Sequence, residues 1–382
     1  MKIAIFNEFY PPDHLGGAER TAQVIYESLS GRSRNVCVLT GYVEKPSCEN
    51  DIFRIIPRYN DPSRTIRKLT FIEKTRLDIT SYFKAREFYK NNDITILLVR
   101  SVRGISLRPI FAAIDLGIPV IFMVPDDWLA KLKISCDRSF VWGAFRKAVL
   151  YKNFDYEHIL CPSEYLLNIY LKAGFKKEKL SLFPHAVDTE IFKPGGQKKN
   201  LSGTGIIFVG RLFSNKGLHV LVEASKLLKE SGKTFQITVA GKGDEEYESS
   251  VKRKVKDYGL EESFAFKGMV PQDDLPDYYR SSDIAVVPSL QEAFGITLIE
   301  AMSCGLPVVA SRTQAIPEII NDGVDGVLVE PGDPGSLAKG LARLIEDKGK
   351  RASLGASARE KAINEFSLDK YIEKLEKILG LG

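Results

Sequence analysis

The chain has 382 residues, of which 44% are hydrophobic and 27% charged, with a formal net charge of +5. That is the balance of an ordinary soluble globular protein of two or three domains; no apolar run approaches membrane-spanning length, and Met1-Lys2 does not lead into a secretory leader's apolar core. Five scattered cysteines (37, 48, 136, 161 and 304) without a Cys-x-x-Cys pair, and only four histidines, argue against a disulfide framework or a metal centre and for a reducing, cytoplasmic setting.

Short apolar runs alternate with helical stretches along the chain, which predicts parallel sheets joined by crossover helices. Residues 2–7, 35–40, 52–56, 94–99, 119–124, 158–161 and 180–183 read as strands of one sheet. Residues 205–210, 235–240, 264–266, 284–288, 307–311 and 326–329 read as a second series. Between them, the stretch from Asp188 to Gly203 is rich in Gly, Pro and Lys and reads as a linker. The expected fold class is α/β: two doubly wound, Rossmann-like domains at 1–188 and 204–363, a linker at 189–203, and a C-terminal segment at 364–382. Ligands of such sheets bind beyond the carboxyl ends of the strands.

The charge is unevenly shared. Residues 1–190 carry 28 Lys and Arg against 22 Asp and Glu, an excess of +6, and the remainder carries −1. The excess concentrates in residues 54–76, from Arg54 and Arg58 through Arg64, Arg67 and Lys68 to Lys74 and Arg76. Interleaved Ile66, Leu69, Phe71, Ile72, Leu77, Tyr82 and Phe83 could form a basic amphipathic helix suited to anionic lipid headgroups. A helix packed on its own sheet with a solvated basic face is an equal reading. Nucleic-acid binding, the remaining rival reading, is poorly supported, since a pI near 8.7 is mild and no recognition motif occurs.

Three loops at predicted strand ends carry the chemistry. Val209-Gly210-Arg211-Leu212-Phe213-Ser214-Asn215-Lys216-Gly217 sets a planar guanidinium and an ammonium beside a helix start, a combination suited to a diphosphate. Ala240-Gly241-Lys242-Gly243 closes the next strand, and alone it would be weak evidence. Glu292-Ala-Phe294-Gly295-Ile296-Thr-Leu-Ile-Glu300 follows a buried strand, with a helix expected to start near Ile296. Glu292 then lies in the loop and Glu300 about one turn into the helix, so both carboxylates can face one ligand.

Gly210-Arg211…Lys216-Gly217, Gly241-Lys-Gly243 and the Glu-x7-Glu element together resemble family 4 of the glycosyltransferases, retaining enzymes of the GT-B fold. Pro11-Pro-Asp-His-Leu-Gly16-Gly17-Ala-Glu19-Arg is similar to that family's glycine-rich loop in the first domain. The likeness runs from about Lys2 to about Leu344 and is strongest from Gly205 to Pro331. It implies an active site in the interdomain cleft and a final helix, here about Leu368 to Leu379, that crosses back to the first domain. It further implies a nucleotide-sugar donor with Gly16, Gly17, Gly210, Arg211, Lys216, Gly241, Glu292, Phe294, Gly295, Ile296 and Glu300 at its site. In that scheme Glu300 holds the ribose hydroxyls, Glu292 lies by the donor sugar, and the departing phosphate accepts the acceptor's proton during front-face attack.

No Asp-x-Asp motif is present, so a metal-free, cofactor-free transfer is expected, with Arg211, Lys216 and loop amides neutralising the diphosphate. Two departures from the family pattern stand out. Val124-Pro125-Asp126-Asp127-Trp128 has Pro125 where relatives often carry a histidine that touches the donor sugar. Asp126 matches the family's aspartate and is a catalytic candidate, and either Asp126 or Asp127 could bind a sugar hydroxyl; a polar loop with Trp128 capping the core is an equal reading. Pro184-His185-Ala-Val-Asp188 replaces the usual Asn-Gly-Val-Asp, so His185 could supply an imidazole or serve only as a hinge residue. A sugar-nucleotide 2-epimerase, a phosphorylase and a non-catalytic partner subunit remain as alternatives on the same fold. The base, the sugar and the acceptor stay open, a glycan, a lipid-linked molecule or a small molecule among them, as does peripheral contact with the cytoplasmic membrane face.

Overall fold

The computed structural model of the chain describes residues 1–12, 17–42, 45–58, 70–102, 105–138, 155–195 and 203–381. They divide into two compact units, Met1–Phe183 with Leu375–Gly382, and Pro184–Lys374.

The first unit is built on β1 (Lys2–Asn7), β2 (Asn35–Tyr42), β3 (Ser47–Glu49), β4 (Ile52–Pro57), β5 (Ile96–Val99), β6 (Val120–Met123), β7 (His158–Cys161) and β8 (Leu180–Leu182). They form one sheet in the order β3-β4-β2-β1-β5-β6-β7-β8, parallel except for β3. β5, β6 and the 3–6 stretch of β1 read as unbroken apolar runs because helices cover both faces of the sheet. β3 was not expected. Ser-Cys-Glu is short and exposed throughout, so it carries no hydrophobic period, and only antiparallel backbone pairing with β4 makes it a strand.

Among the covering helices of this unit are α1 (Gly17–Gly31), α2 (Phe71–Asn91), α3 (Arg108–Ile114), α4 (Trp128–Arg138) and α5 (Glu164–Lys172). The start of α2 is set by a capping box. Thr70 Oγ accepts from the Glu73 amide at 3.2 Å, and the Glu73 carboxylate accepts from the Thr70 amide at 2.7 Å. The helix packs through Ala85, Phe88 and Tyr89, which are buried in the core of this unit. At the chain's end, Glu376 accepts from Arg34 Nε at 2.7 Å and Arg32 Nη1 at 3.1 Å, which ties the last residues to the edge of α1.

The second unit contains β9 (Thr204–Val209), β10 (Phe235–Ala240), β11 (Phe264–Gly268), β12 (Ile284–Val287), β13 (Val308–Ser311) and β14 (Gly326–Val329). They pair in parallel in the order β11-β10-β9-β12-β13-β14. Its helices are α6 (Leu218–Glu230), α7 (Glu245–Asp257), α8 (Leu275–Arg280), α9 (Ile296–Ser303), α10 (Ile316–Ile319), α11 (Pro334–Glu346) and α12 (Lys348–Glu365), and α13 (Leu368–Ile378) begins in it. Alternation along β9 sends Ile206 and Phe208 into the layer with Leu221, Val255 and Leu341. Ile207 points into the opposite layer with Leu298, Met302 and Ile316. The chain leaves β9 toward β10 on one side and β12 toward β13 on the other, so the sheet's switch point lies between β9 and β12.

Candidate functional site

The loops that follow β9 and β12 meet at this switch point. Asn215 O accepts from the Leu290 amide at 2.8 Å and the Gln291 amide at 3.3 Å, which staples one loop to the other. Gly217, with φ of 72°, caps α6, and a Cβ there would lie 1.9 Å from the Pro288 carbonyl oxygen. Only glycine fits that approach, and it brings the start of α6 against the end of β12. Gly241 is fixed in the same way, because its Cβ would sit 1.8 Å from the Gly210 carbonyl oxygen.

On this scaffold the structure joins two of the sequence candidates. Lys216 Nζ lies 2.6 Å from Glu292 Oε2, with side-chain exposures of 21% and 13%. Ser289 Oγ donates to the same oxygen at 3.3 Å. The Glu292 amide donates to Gln314 Oε1 at 2.7 Å, and Gln314 holds a φ of 46° to make that contact. A non-glycine residue in the left-handed region costs roughly 1–2 kcal/mol, so Gln314 is strained in support of the Glu292 loop. Arg211 is exposed, and its guanidinium lies over the Phe213 ring at 5.5 Å.

α9 begins at Ile296 as expected, capped by Gly295 at φ 109°. Phe294 turns inward, 4% exposed, with its ring edge-on to His185 at 5.1 Å and to Phe366 at 6.0 Å. What Phe294 and Gly295 present at the loop is therefore backbone. His185 is buried in that aromatic seam rather than open to solvent.

Glu300 is 5% exposed, and its surroundings differ from those of Glu292. Tyr279 Oη donates to Oε2 at 2.9 Å and Gln272 Nε2 donates to Oε1 at 2.9 Å. Burial foremost, and the carboxylate beside it, push the Tyr279 hydroxyl well above its usual range, so it stays protonated and donating. Neither Tyr279 nor Gln272 stood out in the sequence, nor did Gln314. All three act on the glutamates from 21 to 28 positions away, and no short motif carries such contacts.

In the first unit the candidates are placed differently. Asp126 Oδ1 accepts from the Trp128 amide at 2.9 Å, closing the turn into α4, and its carbonyl accepts from Tyr170 Oη at 3.0 Å. Asp127 pairs with Lys131 at 2.9 Å one turn later, and Trp128 is buried beneath them. Gly17 opens α1, while Gly16 lies outside the described residues. Of the basic run, Arg54 and Arg58 are engaged within their own unit. Arg54 donates to the Pro11 carbonyl at 2.5 Å, and Arg58 lies over the Phe9 ring at 4.3 Å and donates to Gly41 O at 3.2 Å. Arg64, Arg67, Lys68, Ile66 and Leu69 lie outside the described residues. From Phe71 on, α2 leaves Ile72 (78%), Ile79 (54%) and Phe83 (63%) exposed beside exposed Lys74 and Arg76. Spacings of seven and four residues put these apolar side chains on one helix face.

Among the described residues no group of three or more His, Cys, Asp or Glu is arranged to hold a metal ion, and no helix is long and apolar enough to cross a membrane.

The model for glycosyl transferases group 1 matches residues 191–361, and that for Glycosyltransferase Family 4 matches residues 15–191. The chain is 32% identical over 238 residues to the amylovoran biosynthesis glycosyltransferase AmsK of Erwinia amylovora, covering 59% of this chain and 58% of that protein. It is 32% identical over 214 residues to the D-inositol 3-phosphate glycosyltransferase of Acidothermus cellulolyticus, covering 52% of this chain and 47% of that one. The matches thus span about half the length of these relatives. Among solved structures, Anabaena HepE in complex with UDP and glucose superposes with a TM-score of 0.72 at 19% identity, over 100% of this chain and 99% of that one. At that identity the likeness shows the fold, which is GT-B.

Proposed function

We propose, from the premise that this chain belongs to the group 1, family 4 glycosyltransferases, that it moves a hexose from a UDP- or GDP-sugar to an acceptor with retention and without a metal. The observation that carries the reading is the Lys216–Glu292 pair at the switch point of the second sheet, with Arg211, loop amides and the starts of α6 and α9 around it. These groups suit a diphosphate because cations and helix N-termini offset its charge; a cation at about 4 Å contributes up to roughly 4 kcal/mol at an effective dielectric near 20. HepE, captured with UDP, supports a nucleotide there.

In the proposed step the bond from the anomeric carbon to the β-phosphate oxygen breaks, and its electron pair leaves with the nucleoside diphosphate. The acceptor oxygen bonds to the same face of that carbon and gives its proton to the departing phosphate oxygen. Lys216 and Arg211 offset the charge growing on the leaving group, an effect that raises rate because it strengthens toward the transition state. Glu292 stabilises positive charge at the anomeric carbon, and Glu300 grips the ribose.

The exposed Ile72, Ile79 and Phe83 beside Lys74 and Arg76 favour a further element of the reading, peripheral contact with an anionic membrane and a lipid-linked acceptor.

The test is a binding screen of nucleoside diphosphates and their sugars by thermal shift, followed by release of the diphosphate with and without candidate acceptors, each in EDTA. A raised melting temperature with one nucleotide and EDTA-resistant, acceptor-dependent release are expected. Loss of turnover in EDTA with recovery in Mg²⁺ or Mn²⁺ would overturn the metal-free mechanism, and release without any acceptor would favour a hydrolase or epimerase on the same fold.

A further inference from the structure

Glu300 is held by two neutral donors of different standing. Tyr279 sits on α8 with 1% exposure, locked between Phe192, whose ring centroid is 6.0 Å away, and the Glu300 carboxylate. Its hydroxyl reaches Oε2 from inside the core, so it cannot leave without unpacking the helix. Gln272 reaches Oε1 from the connection between β11 and α8, where Met269, Pro271, Asp273 and Asp274 are all exposed. That connection starts beside the glycine loop, since the Gly241 amide donates to Gly268 O at 2.8 Å. One oxygen of the carboxylate is thus fixed from the protein interior, while the other is met by a primary amide at the rim.

We propose that Tyr279 is the positioning residue that aims Glu300, and that the Gln272 amide occupies the place of a ribose hydroxyl and swings away when a nucleotide binds. This rests on the reading that Glu300 grips ribose. Chemically the exchange is even: an N–H donor to Oε1 is replaced by an O–H donor to the same oxygen, so the carboxylate keeps its bond in both states and is not left bare in a buried setting. The Tyr279 bond persists in both states and sets the angle at which Oε1 points outward.

The experiment compares UDP and GDP by calorimetric titration, then takes the tighter one against its 2′,3′-dideoxy counterpart. The wild-type chain should prefer the ribose form at least tenfold, the effect of one or more hydrogen bonds to a charged group. Tyr279→Phe should cut that preference about tenfold, raising the donor KM more than it lowers kcat, while the dideoxy affinity hardly moves. Gln272→Ala should leave the preference intact or raise it a few-fold. A merely structural role for Tyr279 would weaken both nucleotides alike and leave their ratio unchanged, and that result overturns the positioning proposal. A fall in ribose-nucleotide affinity in Gln272→Ala would make Gln272 a ligand contact and overturn the stand-in. Because Gln272 lies outside the core, that variant keeps the proposal testable even where Tyr279→Phe loses stability. Equal wild-type affinity for both nucleotides, or none for either, would instead sink the ribose reading itself.

Discussion

The two units repeat one plan, β2-β1-β5-β6 in the first and β10-β9-β12-β13 in the second, each with its switch point between the middle pair. What differs is how polar groups at the strand ends are engaged. In the first unit they hold the loops themselves. Asn7 Oδ1 accepts from the Ser101 amide at 3.0 Å, Asn7 Nδ2 donates to Phe9 O at 2.5 Å, and Asp126 closes the turn into α4. In the second unit backbone bonds between Asn215, Leu290 and Gln291 hold the loops, and the charged ends of Lys216 and Glu292 meet each other partly exposed at the site. A common topology thus supplies a place, while the local bonding decides which side chains are left to meet a ligand.

The largest expected effect falls on the cations of the second unit. Lys216→Ala or Arg211→Ala should lower kcat by roughly 10²–10³, the range for losing one donor to developing negative charge. Donor affinity should fall less. Steady-state kinetics showing lost affinity at unchanged kcat would reduce both residues to ground-state anchors.

Next come the glutamates, which the structure sets in unlike surroundings. Glu292→Gln should lower kcat by about 10–100-fold, since a bond to a charged group is worth roughly 1.5–3 kcal/mol, with diphosphate affinity nearly unchanged. Glu300→Gln should mainly raise the donor KM, because ribose does not react. The same kinetic pattern in both mutants would dissolve the division between them.

Membrane contact sets the first unit against the second. Binding to vesicles with anionic lipid should weaken in high salt, with Ile79→Asp and Phe83→Asp, and with Arg64, Arg67 and Lys68 changed to Glu. Failure to co-sediment at low salt would reduce the α2 face to a solvated surface.

The smallest effect sharpens the contrast most directly. Asp126→Ala should cost about 1 kcal/mol through its lost turn bond, a drop of a few degrees in Tm, with little change in donor affinity. A tenfold loss of kcat at unchanged Tm would instead give Asp126 a part in the reaction.

Thirteen of the strands lie within two residues of where the apolar runs place them, because buried parallel strands need continuous apolar sequence. The start of α9 at Ile296 was equally legible, because glycine before an apolar helical stretch marks the turn. β3 was not, since an exposed edge strand needs only a neighbour's backbone. Within the basic run, Arg54 and Arg58 bond backbone carbonyls and a ring of their own unit, which charge counting cannot detect.

The sequence by itself determined the alternation of strand and helix, the glycine turns at the strand ends and the residue types that can meet a diphosphate. Those depend on local propensity and on spacing along the chain. Tertiary structure alone decided that Lys216 would pair with Glu292 across 76 positions, that Gln314 would brace the Glu292 amide from 22 positions away, and that Tyr279 and Gln272 would divide the oxygens of Glu300. Such contacts arise only when strands distant in sequence become neighbours in a sheet, and their distances and burial are properties of that packing.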